Sequence, residues 1–165
     1  MAADSSREPS EVAPVRTTLG VDTDTLVHWA MADAPHHGAV RRCFEREVKR
    51  GNRLGLTHQV LREFLHVTTD ARRFEHPLAM KDALRLSLEL WNGLEVERLL
   101  PTARTHDRLC ELIGRLRLGR KRILDTALAV TLEAAGVRRL ATLNGRDFEV
   151  FTFLEVVDPR EAGGA

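Results

Sequence analysis

The sequence has no apolar stretch that approaches the roughly 18 residues needed to span a bilayer. Residues 1–14 are polar and lack the hydrophobic region of a secretory signal. The two cysteines, Cys43 and Cys110, do not have the spacing of metal ligands, so we expect reduced thiols in the core rather than a disulfide framework. Together these absences predict a cytoplasmic protein without a membrane partner.

The sequence signals of several common hydrolases are also absent. None of the seven histidines forms an H-x-x-x-H helix pair with a glutamate, which argues against zinc hydrolysis. The chain contains no Gly-rich phosphate loop, and no Ser-His-Asp arrangement can be recognised from spacing. Any chemistry must therefore depend on other side chains.

Length and composition predict one folded domain. The chain has 165 residues, of which 43% are hydrophobic, and this is enough for a full core. Residues 1–16 are polar and carry serine, proline and mixed charge, so we expect a disordered tail there. We assign the folded domain to residues 17–160 and a flexible C-terminus to residues 161–165.

After residue 16 the pattern alternates between strand and helix. We predict strands near residues 18–22, 53–57, 95–99, 138–143 and 153–157, and helices near residues 24–31, 37–50, 58–69, 77–91, 103–117 and 123–135. This alternation predicts a three-layer α/β/α sandwich with a mainly parallel central sheet. In such sheets the ligand site lies beyond the carboxyl ends of the strands.

Four acidic residues lie where an acid is unfavourable. Asp22 ends an apolar strand-like run and Asp147 follows the fourth strand, whereas Glu63 and Asp125 lie in mostly apolar helical segments. An unpaired buried carboxylate is costly, so acids that converge from separate elements indicate a shared divalent cation with oxygen ligands. Each acid alone also has a structural interpretation, as a helix cap, a turn residue or the partner of an arginine.

A basic segment comes just before Asp125. Residues 115–122 (RLRLGRKR) hold five basic residues and no acid. Alone, such a segment is typical of a solvated helix end and loop. Beside an acidic metal pocket it also suits a substrate with a phosphate backbone.

Four segments resemble, in order and spacing, the motifs of PIN-domain ribonucleases: residues 20–26 (GVDTDTL), 59–64 (QVLREF), 123–129 (ILDTALA) and 140–148 (LATLNGRDF). The resemblance covers about residues 18–159 and is closest to the VapC-type toxins of bacterial toxin–antitoxin pairs. It implies an α/β/α fold and cleavage of RNA with Mg²⁺ or Mn²⁺. It also implies a cognate antitoxin protein and a homodimer, for which helix 77–91 offers one surface.

The resemblance assigns roles to individual residues. The catalytic pocket would contain Asp22, Glu63, Asp125 and Asp147, with Asp22 and Asp125 as direct metal ligands. Other roles fall outside the acids: Thr142 and Asn144 would orient the ligands, and Arg120, Lys121 and Arg122 would contact RNA phosphates.

Two positions depart from the family pattern. Asn144 stands where many members carry an acid, so the fourth acidic role can pass to Asp147. Asp24 stands where the family often has Asn or Ser, which adds negative charge near the site.

Two other functions fit parts of the same sequence. Residues 22–25 (DTDT) match the nucleophile motif of haloacid-dehalogenase-like phosphatases, in which the first Asp is phosphorylated and the second is the acid/base. Lys121 could supply the lysine of that class, but its late acidic pair is absent. The other alternative is a non-catalytic PIN-fold module that binds RNA or protein, and the presence of all four acids argues against it.

Overall fold

Five short parallel strands form the centre of the computed structural model, which describes residues 16–161. The strands are β1 (Thr18–Val21), β2 (Arg53–Thr57), β3 (Val96–Leu99), β4 (Arg139–Ala141) and β5 (Glu155–Val157). They are arranged in the order β3-β2-β1-β4-β5, and every neighbouring pair is parallel. The first strand is therefore central, and its carboxyl end lies between those of β2 and β4.

Six α-helices connect the strands: α1 (Thr23–Ala30), α2 (His37–Lys49), α3 (His58–Thr68), α4 (Met80–Trp91), α5 (Ala103–Arg115) and α6 (Ile123–Ala134). There are also two 3-10 helices: Arg120–Arg122 directly precedes α6, and Gly145–Asp147 follows β4. Right-handed crossovers between parallel strands place helices on both faces of a sheet. The predicted α/β/α fold is confirmed, and the predicted elements are all present.

The predicted tails lie almost entirely outside the residues that the structure describes. Apart from Arg16 and Glu161, residues 1–16 and 161–165 lie outside the described residues. Within residues 16–161, no helix combines the length and the apolar character that a membrane crossing requires.

Local sequence explains where the helices begin and end. The hydroxyl of Thr57 accepts a hydrogen bond of 3.2 Å from the backbone N–H of Val60, which caps the start of α3. Gly51 and Gly136 follow α2 and α6 with φ angles of 80° and 71°. Glycine adopts this left-handed conformation at low cost, so both helices end there.

The core is built around the central strand. Leu19 and Val21 of β1 are fully buried, as are Phe64 of α3 and Leu132 of α6. A Cβ atom on Gly20 would lie 2.7 Å from the side chain of Leu132, so a larger residue at this position would force that leucine to move. This packing holds α6 directly over the strand that leads to Asp22.

One buried ion pair crosses this apolar interior. Glu47 of α2 is 2% exposed and accepts hydrogen bonds of 2.8 and 3.1 Å from the guanidinium of Arg139 in β4. Asn52 donates a further hydrogen bond of 2.9 Å. The hydrogen bonds from Arg139 hold the pKa of Glu47 below its usual range, although burial opposes this. The pair joins α2 to the amino end of β4, opposite the edge that carries the acids.

The two cysteines differ in environment. Both are free thiols, as expected. Cys43 is buried in the core, but Cys110 is exposed on α5. The prediction of a core position for Cys110 was therefore wrong, because this residue faces away from the contact between α5 and the rest of the domain.

Candidate active site

Three of the four predicted acids line one open cleft of about 670 Å³ at the carboxyl edge of the sheet. Asp22 directly follows β1, Glu63 lies on α3 after β2, and Asp125 lies on α6 before β4. Asn144, which follows β4, also lines the cleft. Parallel strands deliver their carboxyl ends to one edge, so this convergence follows from the topology.

Asp22 caps the start of α1 and also lines the cleft. Its Oδ1 accepts a hydrogen bond of 2.7 Å from the backbone N–H of Thr23, and its Oδ2 accepts one of 2.8 Å from the hydroxyl of Thr142. Burial raises the pKa of Asp22 to about 6, and the negative charges of Asp125 and Asp24 add to this effect. The two hydrogen bonds act in the opposite direction and fix the orientation of the carboxylate.

Glu63 is held by two neighbours rather than by the arginine considered from sequence. The amide of Gln59 donates a hydrogen bond of 2.9 Å to its Oε1, and the hydroxyl of Thr23 donates one of 3.3 Å to its Oε2. Gln59 also donates to the backbone carbonyl of Leu124 at 3.0 Å, so it connects α3 to the start of α6. Gln59 was not predicted as a site residue; its position four residues before Glu63 was the available signal.

Asp125 is not the cap of its helix. The N-cap position of α6 is occupied by Arg122, so the capping interpretation is wrong. The Oδ2 of Asp125 accepts a hydrogen bond of 3.2 Å from Nε of Arg122. Burial raises the pKa of Asp125, as do the charges of Asp147 and Glu63, whereas Arg122 lowers it.

Asp147 lies beside the cleft rather than among its lining residues. Its side chain is 39% exposed, and its Oδ1 is 3.5 Å from Nη1 of Arg122. The side-chain amide of Asn144 donates a hydrogen bond to its Oδ2. Asn144 and Asp147 therefore form a pair, in which the asparagine connects the outer acid to the cleft.

The three predicted phosphate-binding residues occupy different environments. Arg120 and Lys121 are exposed at the surface. Arg122 has a side chain that is 23% exposed and contacts Asp125 and Asp147. The three side chains differ because one turn of 3-10 helix directs only its third residue toward the acids.

The side chains fit a hard divalent cation only in part. Their donors are carboxylate oxygens, which Mg²⁺ and Mn²⁺ prefer, and two of the acids have pKa values raised in part by neighbouring negative charges. Among residues 16–161, however, no three His, Cys, Asp or Glu side chains stand close enough to hold a metal as they are. To bind such an ion at this site, water would have to bridge some of these oxygens to it, or the side chains would have to move together.

The chain is similar to a known ribonuclease. Over 146 residues it is 27% identical to ribonuclease VapC24 of Mycobacterium tuberculosis, a match that spans 88% of this chain and 99% of that protein. No protein-family model matches the chain.

Solved structures share the fold. VapC20 of Mycobacterium tuberculosis, described as a sarcin-ricin loop cleaving toxin, has a TM-score of 0.59 at 16% identity and matches over 89% of this chain and 96% of that one. VapBC-1 from nontypeable Haemophilus influenzae has a TM-score of 0.64 at 16% identity, over 88% and 100% of the two chains. At these identities the structures show the fold alone, and it is the fold that the four motifs predicted.

Proposed function

We propose that the chain is a PIN-domain endoribonuclease of the VapC type and the toxin of a toxin–antitoxin pair. The observation that carries the proposal is the cleft in which Asp22, Glu63 and Asp125 meet from three separate elements. A phosphatase of the haloacid-dehalogenase type is not favoured, because its late acidic pair is absent. A binding module without activity has no need of these costly acids.

The three acids of the cleft would have different roles in the reaction. Asp22 and Asp125 would be the direct ligands of Mg²⁺ or Mn²⁺, which when bound supplies the positive charge that activates water and stabilises the transferring phosphate. Thr142 orients Asp22 through its hydrogen bond of 2.8 Å. Glu63, held by Gln59, would accept a proton from the attacking water or orient it. The products would carry 5′-phosphate and 3′-hydroxyl ends.

The exposed basic residues beside the cleft provide a site for the RNA backbone. Arg120 and Lys121 lie in the 3-10 helix that leads into α6 and face solvent. Contacts with phosphate position RNA without reading its sequence. These two residues would therefore contribute to the affinity for RNA. The choice of the RNA bond that is cleaved would depend on other residues of the cleft.

We further propose a cytoplasmic location, a homodimer and a cognate antitoxin protein. A groove of about 450 Å³ between α2 and α4 supports a protein partner, and Trp29, Phe44, Leu86 and Leu90 contribute to its mainly apolar lining. Its rim carries charges of both signs, including Arg41 and Glu45 of α2 and Glu89 of α4. An amphipathic helix of the antitoxin fits such a groove.

The proposed activity is tested with purified protein and mixed RNA in Mg²⁺, in Mn²⁺ and in EDTA. We expect cleavage with either metal and none with EDTA. The variant Asp125→Asn should abolish cleavage while leaving the circular dichroism spectrum unchanged. Cleavage that persists unchanged in EDTA would rule out the metal mechanism.

A matched variant separates the nuclease from the phosphatase. Asp24 is an exposed acid two residues from Asp22, and a PIN nuclease should tolerate Asp24→Asn. A phosphatase of the haloacid-dehalogenase type would lose all activity in this variant. It would also be trapped by beryllium fluoride as an analogue of a phosphorylated Asp22.

A further inference from the structure

Arg122 places a positive charge between Asp125, a proposed metal ligand, and Asp147, which lies beside the cleft. Its Nε lies 3.2 Å from Oδ2 of Asp125, and its Nη1 lies 3.5 Å from Oδ1 of Asp147. The two carboxylates belong to different elements, α6 and the 3-10 helix Gly145–Asp147. One guanidinium therefore bridges two carboxylates that belong to separate elements of the fold.

The hydrogen-bonding capacity of the Arg122 guanidinium is only partly used. Among residues 16–161, its Nη2 is the buried side-chain nitrogen that has no hydrogen-bond partner. Leaving a buried donor of a charged group unpaired costs free energy, and arginines that serve only to stabilise a fold usually have their donors paired. Arg108 shows the difference, because its Nε and Nη2 each donate 2.8 Å hydrogen bonds to Glu133 and its Nη1 donates to Glu111.

We infer that Arg122 is an internal counter-ion that competes with the divalent cation for Asp125, and that it leaves this acid when the metal binds. This inference rests on the proposed function, because it assumes that Asp125 is a metal ligand. The physical reason is repulsion: two cations within about 4 Å of one carboxylate repel each other strongly in a partly buried site. Arg122 therefore balances the acids without metal, and the metal must displace it.

The first experiment measures Mn²⁺ binding by titration calorimetry without RNA. We expect Arg122→Gln to bind Mn²⁺ at least about tenfold more tightly than the wild type, because the competing charge is gone. Arg120→Gln is the matched control, since it removes the same charge from the same 3-10 helix at an exposed position. Its affinity should stay within about twofold of the wild type, because solvent and salt screen an exposed charge.

The second experiment observes the wild-type arginine itself and does not depend on a variant that folds. A Mg²⁺ titration followed by NMR of the arginine Nε–Hε groups should shift the Arg122 signal. The Arg108 signal is the internal control and should stay in place, because Arg108 is paired with Glu133 away from the cleft.

The outcomes separate this inference from the proposed function. Metal-dependent cleavage together with an unchanged or weaker Mn²⁺ affinity in Arg122→Gln would overturn the inference alone. An Arg122 signal that does not move at saturating Mg²⁺ would have the same meaning. If the wild type binds neither Mn²⁺ nor Mg²⁺, both the metal mechanism and the inference are wrong.

Discussion

At Asp22, burial and neighbouring charge act against ionisation. The pKa of this carboxyl group is raised from 3.8 to about 6 in the folded protein. Between these two values the folded state binds more protons than the unfolded state, so the free energy of unfolding falls as the pH rises from about 4 to about 6. Above pH 6 the metal-free protein carries the full cost of the buried charge.

Replacing this acid should therefore stabilise the metal-free protein. The difference between about 6 and 3.8, at about 1.36 kcal/mol per pKa unit, predicts that Asp22→Asn raises the free energy of unfolding by up to about 3 kcal/mol at pH 7. The gain should be much smaller at pH 4. Urea unfolding in EDTA at both pH values measures it, with Asp107→Asn on α5 as the exposed control. Equal destabilisation at both pH values would mean that the role of Asp22 in capping α1 dominates.

Individual side chains differ in how well the sequence predicts them. Asp22, Glu63 and Asp125 could be predicted as neighbours, because strand order and helix position decide where their backbones lie. Arg122 could not be separated from Arg120, because only the orientation of one turn of 3-10 helix directs it inward. Gln59 was missed although its spacing of four residues from Glu63 was a weak signal, because its bond to the carbonyl of Leu124 depends on where α6 packs.

Among the elements, α2 and β4 are joined by the buried pair of Glu47 and Arg139. Removal of one partner leaves a buried charge unpaired, which is more costly than the loss of an exposed pair. The sequence did not reveal this pair, because Glu47 lies among charged residues of α2 and resembles part of a solvated face. Its burial depends on how α2 packs against the sheet.

The variant Glu47→Ala should lower the free energy of unfolding by about 1–3 kcal/mol, because Arg139, which is partly exposed, and Asn52 would lose their charged hydrogen-bond partner. Glu45→Ala is the matched control on the same helix, since Glu45 lies 4.0 Å from Arg41 in a pair whose side chains are both at least 50% exposed. Urea unfolding monitored by circular dichroism compares the two variants. Similar losses in both would show that the buried pair has no special role.

The 3-10 helix Arg120–Arg122 should influence how RNA binding depends on salt. In an Asp125→Asn background, changing Arg120 and Lys121 to Gln should weaken RNA binding equally for different sequences. The slope of log affinity against log salt should become shallower by about 1.4, or about 0.7 for each lost phosphate contact with single strands. An unchanged slope would mean that these residues are only a solvated helix end.

At the scale of the whole molecule, α4 leaves apolar surface uncovered. The sequence predicted an amphipathic helix that packs on the core, but Ala83 is its one fully buried residue within the described chain. Met80, Leu84 and Leu88 are 56%, 46% and 63% exposed, and they recur every four residues along one face. The helix and its C-terminal end could be predicted from periodicity, although it begins at Met80 rather than near residue 77. The extent of its burial depends on neighbours that periodicity does not identify.

If this face forms the proposed homodimer, the double change of Leu84 and Leu88 to Glu should convert a dimer to a monomer. Charged residues at the centre of an interface prevent burial of the apolar surface. Light scattering coupled to size-exclusion chromatography measures the mass, and Lys81→Glu serves as the control at an exposed position on the same helix. A wild type that is already monomeric would contradict the assignment.

The strand order also determines when the cleft can form during synthesis. Asp22 and Thr142 are 120 positions apart in the sequence, yet they share a hydrogen bond because β1 pairs with β4. A ribosome that adds about 5–20 residues per second needs roughly 6–24 s to cover this distance. During that interval the nascent chain contains its first acid but lacks the strand that completes the surroundings of that acid. The edge of the sheet that carries the chemistry is therefore among the last parts of the domain to assemble.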